Sequence, residues 1–222
     1  MNINRILIQK NGFNIPSIII EPTDSLGIVI IIHGYGGSKE EQLGLGWRIA
    51  EAGYTSCLID LPGHGENLDY FDGEIKLYVD SVIDYHKDKN KIVVIGHSVG
   101  GRLSLTSQAN YVIGISPTLI QDFSNETKGF IKNIRSYRVR ERDGEFLWVL
   151  HRQLPLFDLT ENKAAIIIFG TRDVPEIVNL CKRIQENANI VFEIDKALHN
   201  DIYLNEKVFE IIISQIKKWL NN

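Results

Sequence analysis

Cysteine is scarce: the 222-residue chain has two, Cys57 and Cys181. Two scattered thiols make neither a disulfide framework nor a zinc site, so the fold must be held by an apolar core. Cys57 falls in a strand-like run, where a thiol acts as a small buried hydrophobe. Long apolar runs are also missing. The run Ile28 to Ile32 is far too short to span a membrane. The opening MNINRILIQK lacks the apolar stretch of a secretory signal, so the expected location is the cytoplasm. There is no excess of basic charge either. Lys and Arg total 24 against 28 Asp and Glu, a net charge of −4, which argues against a nucleic-acid partner. Repeats and low-complexity segments are absent. What remains is 44% hydrophobic and 23% charged, the mix of a globular protein, and residues 1–222 are expected to form a single domain.

Short β-branched runs alternate with longer amphipathic stretches. Strands are expected over residues 4–9, 15–21, 28–32, 55–60, 92–95, 111–115, 165–169 and 190–194. The first two flank Lys10-Asn11-Gly12 and read as a hairpin. Helices are expected over 40–52, 74–87, 98–109, 175–186 and 206–220. This order predicts an α/β fold: a mostly parallel central sheet of about eight strands with helices on both faces. In such sheets ligands collect at the carboxyl ends of the strands. Residues 117–162 break the rhythm, with no strand pattern but many aromatics and cations. A segment that long is expected to be an inserted helical cap.

The residues just after the strands carry the chemistry. Gly96-His97-Ser98-Val99-Gly100 stands between an expected strand and an expected helix. G-x-S-x-G there forces a sharp turn that exposes the serine oxygen at a helix N-terminus, where negative charge is stabilised. A serine hydroxyl needs a base to take its proton. Of six histidines, only His199 follows the last strand. The acid that orients an imidazole should also follow a strand, and Asp173 does so in Gly170-Thr171-Arg172-Asp173. Asp195, Glu176 and Asp122 are the other carboxylates in the region. The loop His33-Gly34-Tyr35-Gly36-Gly37 follows an early strand, so the backbone N–H groups of Tyr35 and Val99 are the candidate oxyanion donors.

Together, IIHGYGGSKEE, LIDLPGHGEN, VVIGHSVGG, IIIFGTRDVP and ALHND make the chain resemble the α/β-hydrolase superfamily. It is similar to the small bacterial members with a helical cap: carboxylesterases and monoacylglycerol-lipase-like or serine-aminopeptidase-like proteins. The resemblance implies the α/β-hydrolase fold. It also implies Ser98 as nucleophile, His199 as base, Asp173 as acid and Tyr35 and Val99 as oxyanion donors. Dehalogenase and epoxide-hydrolase chemistry is disfavoured, since those relatives need aspartate at the position of Ser98. Glu66-Asn67 and Arg102 depart from the usual pattern, where serine and a small or apolar residue are common.

The expected activity is therefore cleavage of a carboxylic ester of a small molecule through an acyl-enzyme, with no metal or organic cofactor. Thioester, amide or peptide substrates on the same residues are the near alternative, and a non-catalytic binding protein the remote one. In the insertion, Phe130 and Trp148 are expected to contact the acyl group. The basic run Lys128, Lys132, Arg135, Arg138, Arg140 and Arg142, with Glu141 its only acid, is either a solvated helix face or a rim for anionic substrates. Arg135 and Arg138 are its candidate substrate contacts.

Overall fold

The computed structural model describes residues 1–88, 91–142, 145–160 and 163–221. Eight strands form one sheet in the order β1-β2-β4-β3-β5-β6-β7-β8. The strands β1 (Asn2–Lys10) and β2 (Phe13–Glu21) form the expected hairpin. Asn11 and Gly12 both take positive φ, +50° and +85°, as a two-residue hairpin turn requires. β2 pairs antiparallel with β4 (Thr55–Ile59). All remaining pairs are parallel, through β3 (Ile28–Ile32), β5 (Ile92–His97), β6 (Tyr111–Ile115), β7 (Ala164–Arg172) and β8 (Val191–Leu198).

The sheet divides the core into two layers. In β3, Ile28, Ile30 and Ile32 pack on one side and Val29 and Ile31 on the other. That alternation explains why the strand is apolar throughout. One layer is covered by α2 (Ile75–Tyr85), α3 (Val99–Leu105) and α6 (Pro175–Gln185), the other by α1 (Leu43–Glu51) and α7 (Glu206–Leu220).

Four elements differ from expectation. The helix after Ser98 stops at Leu105. Ser107 donates its hydroxyl back to the Ser104 carbonyl at 2.8 Å, competing locally with helix continuation. β7 and β8 both run several residues past their apolar stretches, since they pair with each other across a bulge at Gly170/Arg172. Apolar patterning does not report such pairing, which needs only backbone groups. The helix expected from residue 40 opens as a 3-10 turn, Lys39–Gln42.

Between β6 and β7 the chain forms α4 (Asn125–Arg135), a 3-10 turn and α5 (Phe146–Gln153), with no strand among the described residues. The expected end of the insertion at Asn162 lies outside them. Ser124 caps α4, its hydroxyl accepting the Thr127 N–H at 3.2 Å. α5 packs Leu147, Trp148 and Leu150 into the first core layer.

The segment is tied down at both ends by Arg102, a fully buried residue of α3. Its guanidinium donates to the carbonyls of Thr118 (3.4 Å) and Ile120 (2.9 Å) at the entry. At the exit it donates to those of Pro155 (3.0 Å) and Leu154. Burial lowers its pKa to about 10, so it stays charged at neutral pH. Arg102→Met should leave these carbonyls without their donor. Each unpaired buried group costs about 1–3 kcal/mol, so with four carbonyls a loss of at least about 4 kcal/mol is expected. Residues 121–153 should also become a preferred site of limited proteolysis. An unchanged melting temperature and digestion pattern would show that the guanidinium is not the tie.

Candidate active site

The site is built at the carboxyl ends of β3, β5, β7 and β8. β5 ends at His97, and Ser98 makes the turn into α3 with φ +57° and ψ −119°. A side chain rarely adopts this backbone, and the surroundings enforce it. The Ser98 N–H is held by the Ile115 carbonyl at 2.9 Å. The flanking glycines make the turn sterically feasible. A Cβ on Gly96 would lie 1.9 Å from the Gly100 carbonyl oxygen, and one on Gly100 would lie 2.4 Å from that of His33.

His199 follows β8 directly. Its Nε2 lies 3.0 Å from Ser98 Oγ and its Nδ1 2.7 Å from Asp173 Oδ1. Because the carboxylate can only accept, Nδ1 carries the proton and Nε2 presents its lone pair to the serine hydroxyl. His97 holds the loop from below, its Nε2 donating to the His199 carbonyl at 2.8 Å. Asp173 follows β7 and is buried. Burial pushes its carboxyl up, but bonds from His199, Ser116 Oγ and the Val174 N–H outweigh that and hold it below the usual carboxylate range.

The loop after β3 approaches from the other side. A buried network supports it. His33 Nδ1 donates to the Gly34 carbonyl at 2.7 Å, and its Nε2 accepts the Leu61 N–H at 3.1 Å. Beneath it the buried pair Lys39 and Asp60 meets at 2.5 Å, and Asp60 also accepts the Glu66 N–H at 2.8 Å. The Tyr35 hydroxyl donates to Glu141 of the insertion at 2.5 Å. Burial, together with that carboxylate, raises the phenol pKa.

Ser98, His199, Asp173, Tyr35 and Val99 are thus brought to one place, and four of them border a cavity of about 70 Å³; Asp173 stands behind His199. Phe130, Trp148 and Arg135 also border it. Arg138, the other expected substrate contact of the basic run, is not among its lining residues. It reaches Glu41 instead, at 2.7 Å. Most of the basic run is engaged in this way. Lys128 pairs with Asp122 (2.6 Å), Lys132 with Glu145 (2.8 Å), and Arg135 with Glu41 (4.0 Å) and Asn200 (3.1 Å). Arg140 donates to the Leu68 carbonyl, and Arg142 lies over the Tyr70 ring. The other carboxylates are occupied elsewhere: Asp122 by Lys128, Glu176 by Ser124 and Thr127, while Asp195 is exposed.

Sequence reasoning passed over Ser116, His97, Glu41 and His151. Ser116 was within reach, since it follows β6 just as the chosen residues follow their strands. Glu41 and His151 carry no local signal; the fold brings them in.

Among the described residues, no helix is long and apolar enough to cross a membrane, and no cluster of His, Cys, Asp and Glu is arranged to hold a metal. A family model described as the alpha/beta hydrolase family matches residues 29–179, more than half of the chain. No curated protein matches the sequence. Solved structures with the same fold include an esterase of Pyrobaculum calidifontis, at 19% identity and TM-score 0.71, covering 98% of this chain and 85% of that one. A soluble variant of the monoglyceride lipase of Saccharomyces cerevisiae, in complex with a substrate analogue, is similar at 17% identity and TM-score 0.67, covering 99% and 95%. A laboratory-evolved potato epoxide hydrolase is similar at 12% and TM-score 0.69, covering 98% and 100%. At such identities the likeness is one of fold.

Proposed function

Because the chain belongs to the alpha/beta hydrolase family, we propose that it is a serine esterase acting on a small-molecule carboxylic ester. The observation that carries this reading is the chain of contacts from Asp173 Oδ1 to His199 Nδ1 at 2.7 Å and from His199 Nε2 to Ser98 Oγ at 3.0 Å. His199 takes the Ser98 proton as Oγ bonds to the acyl carbon, and the carbonyl electrons move onto oxygen. The N–H groups of Tyr35 and Val99 stabilise that oxyanion. As the carbon–oxygen bond to the leaving group breaks, His199 returns the proton to the departing oxygen. Water then attacks the acyl-enzyme by the same steps. Asp173, held low by its three donors, keeps its charge beside the imidazolium. Residues 117–162 act as a cap, with Trp148 and Phe130 against the acyl group and Arg135 fixing the cap edge beside His199.

A fluorophosphonate probe tests the reading. It should add to the protein once, with the mass shift on the peptide containing Ser98. A folded protein that takes no label there would exclude an activated serine.

A further inference from the structure

We propose that the site accepts esters of compact acyl groups, about two to four carbons long, carried on bulky leaving groups that are neutral or cationic. This rests on Ser98 acting as the nucleophile. Two hollows of unequal size meet at His199. The inner one, about 70 Å³, is bordered by Ser98, Val99 and Tyr35. The outer one, about 750 Å³, is bordered by His199 and Asp173 but not by Ser98. An acyl group bonded to Ser98 Oγ, with its oxygen at the Tyr35 and Val99 N–H groups, must place its chain in the inner hollow. The leaving oxygen receives its proton from His199, so the leaving group lies on the side of the outer one.

Size then sets the acyl limit. A cavity of about 150 Å³ holds a benzene molecule, so 70 Å³ leaves room for about three non-hydrogen atoms. The chamber wall is aromatic and tightly packed. Phe123 lies 5.9 Å from Trp148 and 5.3 Å from His151, and Trp148 stacks on His151 at 6.2 Å. All three are buried. Arg102 locks His151 from behind, donating to its Nδ1 at 3.3 Å. Close-packed side chains of this kind do not give way to added methylenes without strain.

Charge sets the leaving group. The outer hollow is bordered by Glu126, Glu176 and Asp201 against Arg172, besides Asp173, which is engaged by His199. That balance repels a phosphate or carboxylate and tolerates a neutral or positive group. The nearest cations of the cap lie off it: Arg138 pairs with Glu41, and Arg135 borders the inner hollow and not the outer one.

The test compares 4-nitrophenyl acetate, butyrate and octanoate, then acetyl esters of glycerol, choline and glycerol phosphate. We expect kcat/KM to fall at least tenfold from butyrate to octanoate. Trp148→Ala should raise the octanoate-to-butyrate ratio by at least tenfold, and Phe123→Leu, a milder enlargement, should raise it less. The acetyl ester of glycerol phosphate should be at least tenfold poorer than that of glycerol or choline, with the gap narrowing as salt screens the carboxylates. Octanoate turned over as well as butyrate, a ratio unmoved by both variants, or a preference for the phosphate-bearing ester would overturn the proposal. The fluorophosphonate probe separates the two levels. Labelling of Ser98 with a flat chain-length profile removes this inference alone, whereas no labelling removes the esterase reading with it.

Discussion

Replacing Ser98 with alanine should lower turnover of an activated ester by about 10⁴- to 10⁶-fold and leave the fold intact. The argument begins with the hydroxyl that sits 3.0 Å from His199 Nε2. Without it, His199 has no proton to take and no acyl-enzyme forms. What survives is the contribution of the oxyanion donors and of binding. His199→Ala should be as severe, and the double variant no worse than either single change, since the residues act as a unit. Asp173→Asn should be severe but milder. The backbone offers an independent check on the same position. At φ +57° and ψ −119°, Ser98 stands where glycine is at ease. Ser98→Gly should therefore be as inactive as Ser98→Ala yet more stable, by about 1–3 kcal/mol. Steady-state kinetics beside thermal melting of the three proteins would check both halves. Retained turnover in a folded Ser98→Ala protein would remove the serine from the chemistry.

Acid should unfold the protein well before its carboxylates titrate. His33, His64, His97 and His151 are all buried. Burial lowers their pKa values from 6.5 to about 4, 3, 3 and 3. In the unfolded chain each binds a proton near pH 6.5; in the folded protein each stays neutral far below that. Folded-state values below the unfolded ones mean that this stability is present above pH 6.5 and is lost as pH falls toward 4. Each such proton contributes about 1.4 kcal/mol per pH unit, so the four together approach about 5.5 kcal/mol per unit. Asp173, also held low, adds in the same direction at lower pH. Native domains have only about 5–15 kcal/mol to lose. Urea titrations at pH 7.5, 6.5, 5.5 and 5.0 should show the midpoint dropping steeply below 6.5. His64→Gln, if it folds, should flatten the slope by one proton. A midpoint independent of pH between 7 and 5 would mean that these imidazoles are protonated in the folded state or open to water.

The parts of the molecule that sequence made readable are those governed by local rules. Short β-branched runs marked the strands, Asn11-Gly12 marked the hairpin, and the glycines around Ser98 marked a turn that nothing bulkier permits. The site residues stood out because each follows a strand, and parallel strands gather such positions at one edge. What stayed hidden depends on partners far along the chain. The basic run at residues 128–142 reads as a surplus of charge until Glu41, Asp122 and Glu145 are seen against it. Arg102 looks out of place beside the nucleophile, since no local pattern shows that its partners are backbone carbonyls of an insertion. The extensions of β7 and β8, which carry Asp173 and His199 to their places, are set by pairing between backbones.

The tie made by Arg102 bears on how this protein can diverge. A guanidinium asks for oxygen atoms, and backbone carbonyls are supplied by any residue. The attachment of the insertion is therefore indifferent to most of the insertion's own sequence. The exposed part, α4 and the turn after it, is free to lengthen, shorten or be exchanged for a segment of foreign origin, whereas Leu147, Trp148 and Leu150 of α5 are held by the core they fill. The chain has only to return carbonyls near those of Thr118, Ile120, Leu154 and Pro155. New specificities can arise there by drift or by grafting, while the sheet beneath and the side chain at position 102 stay as they are.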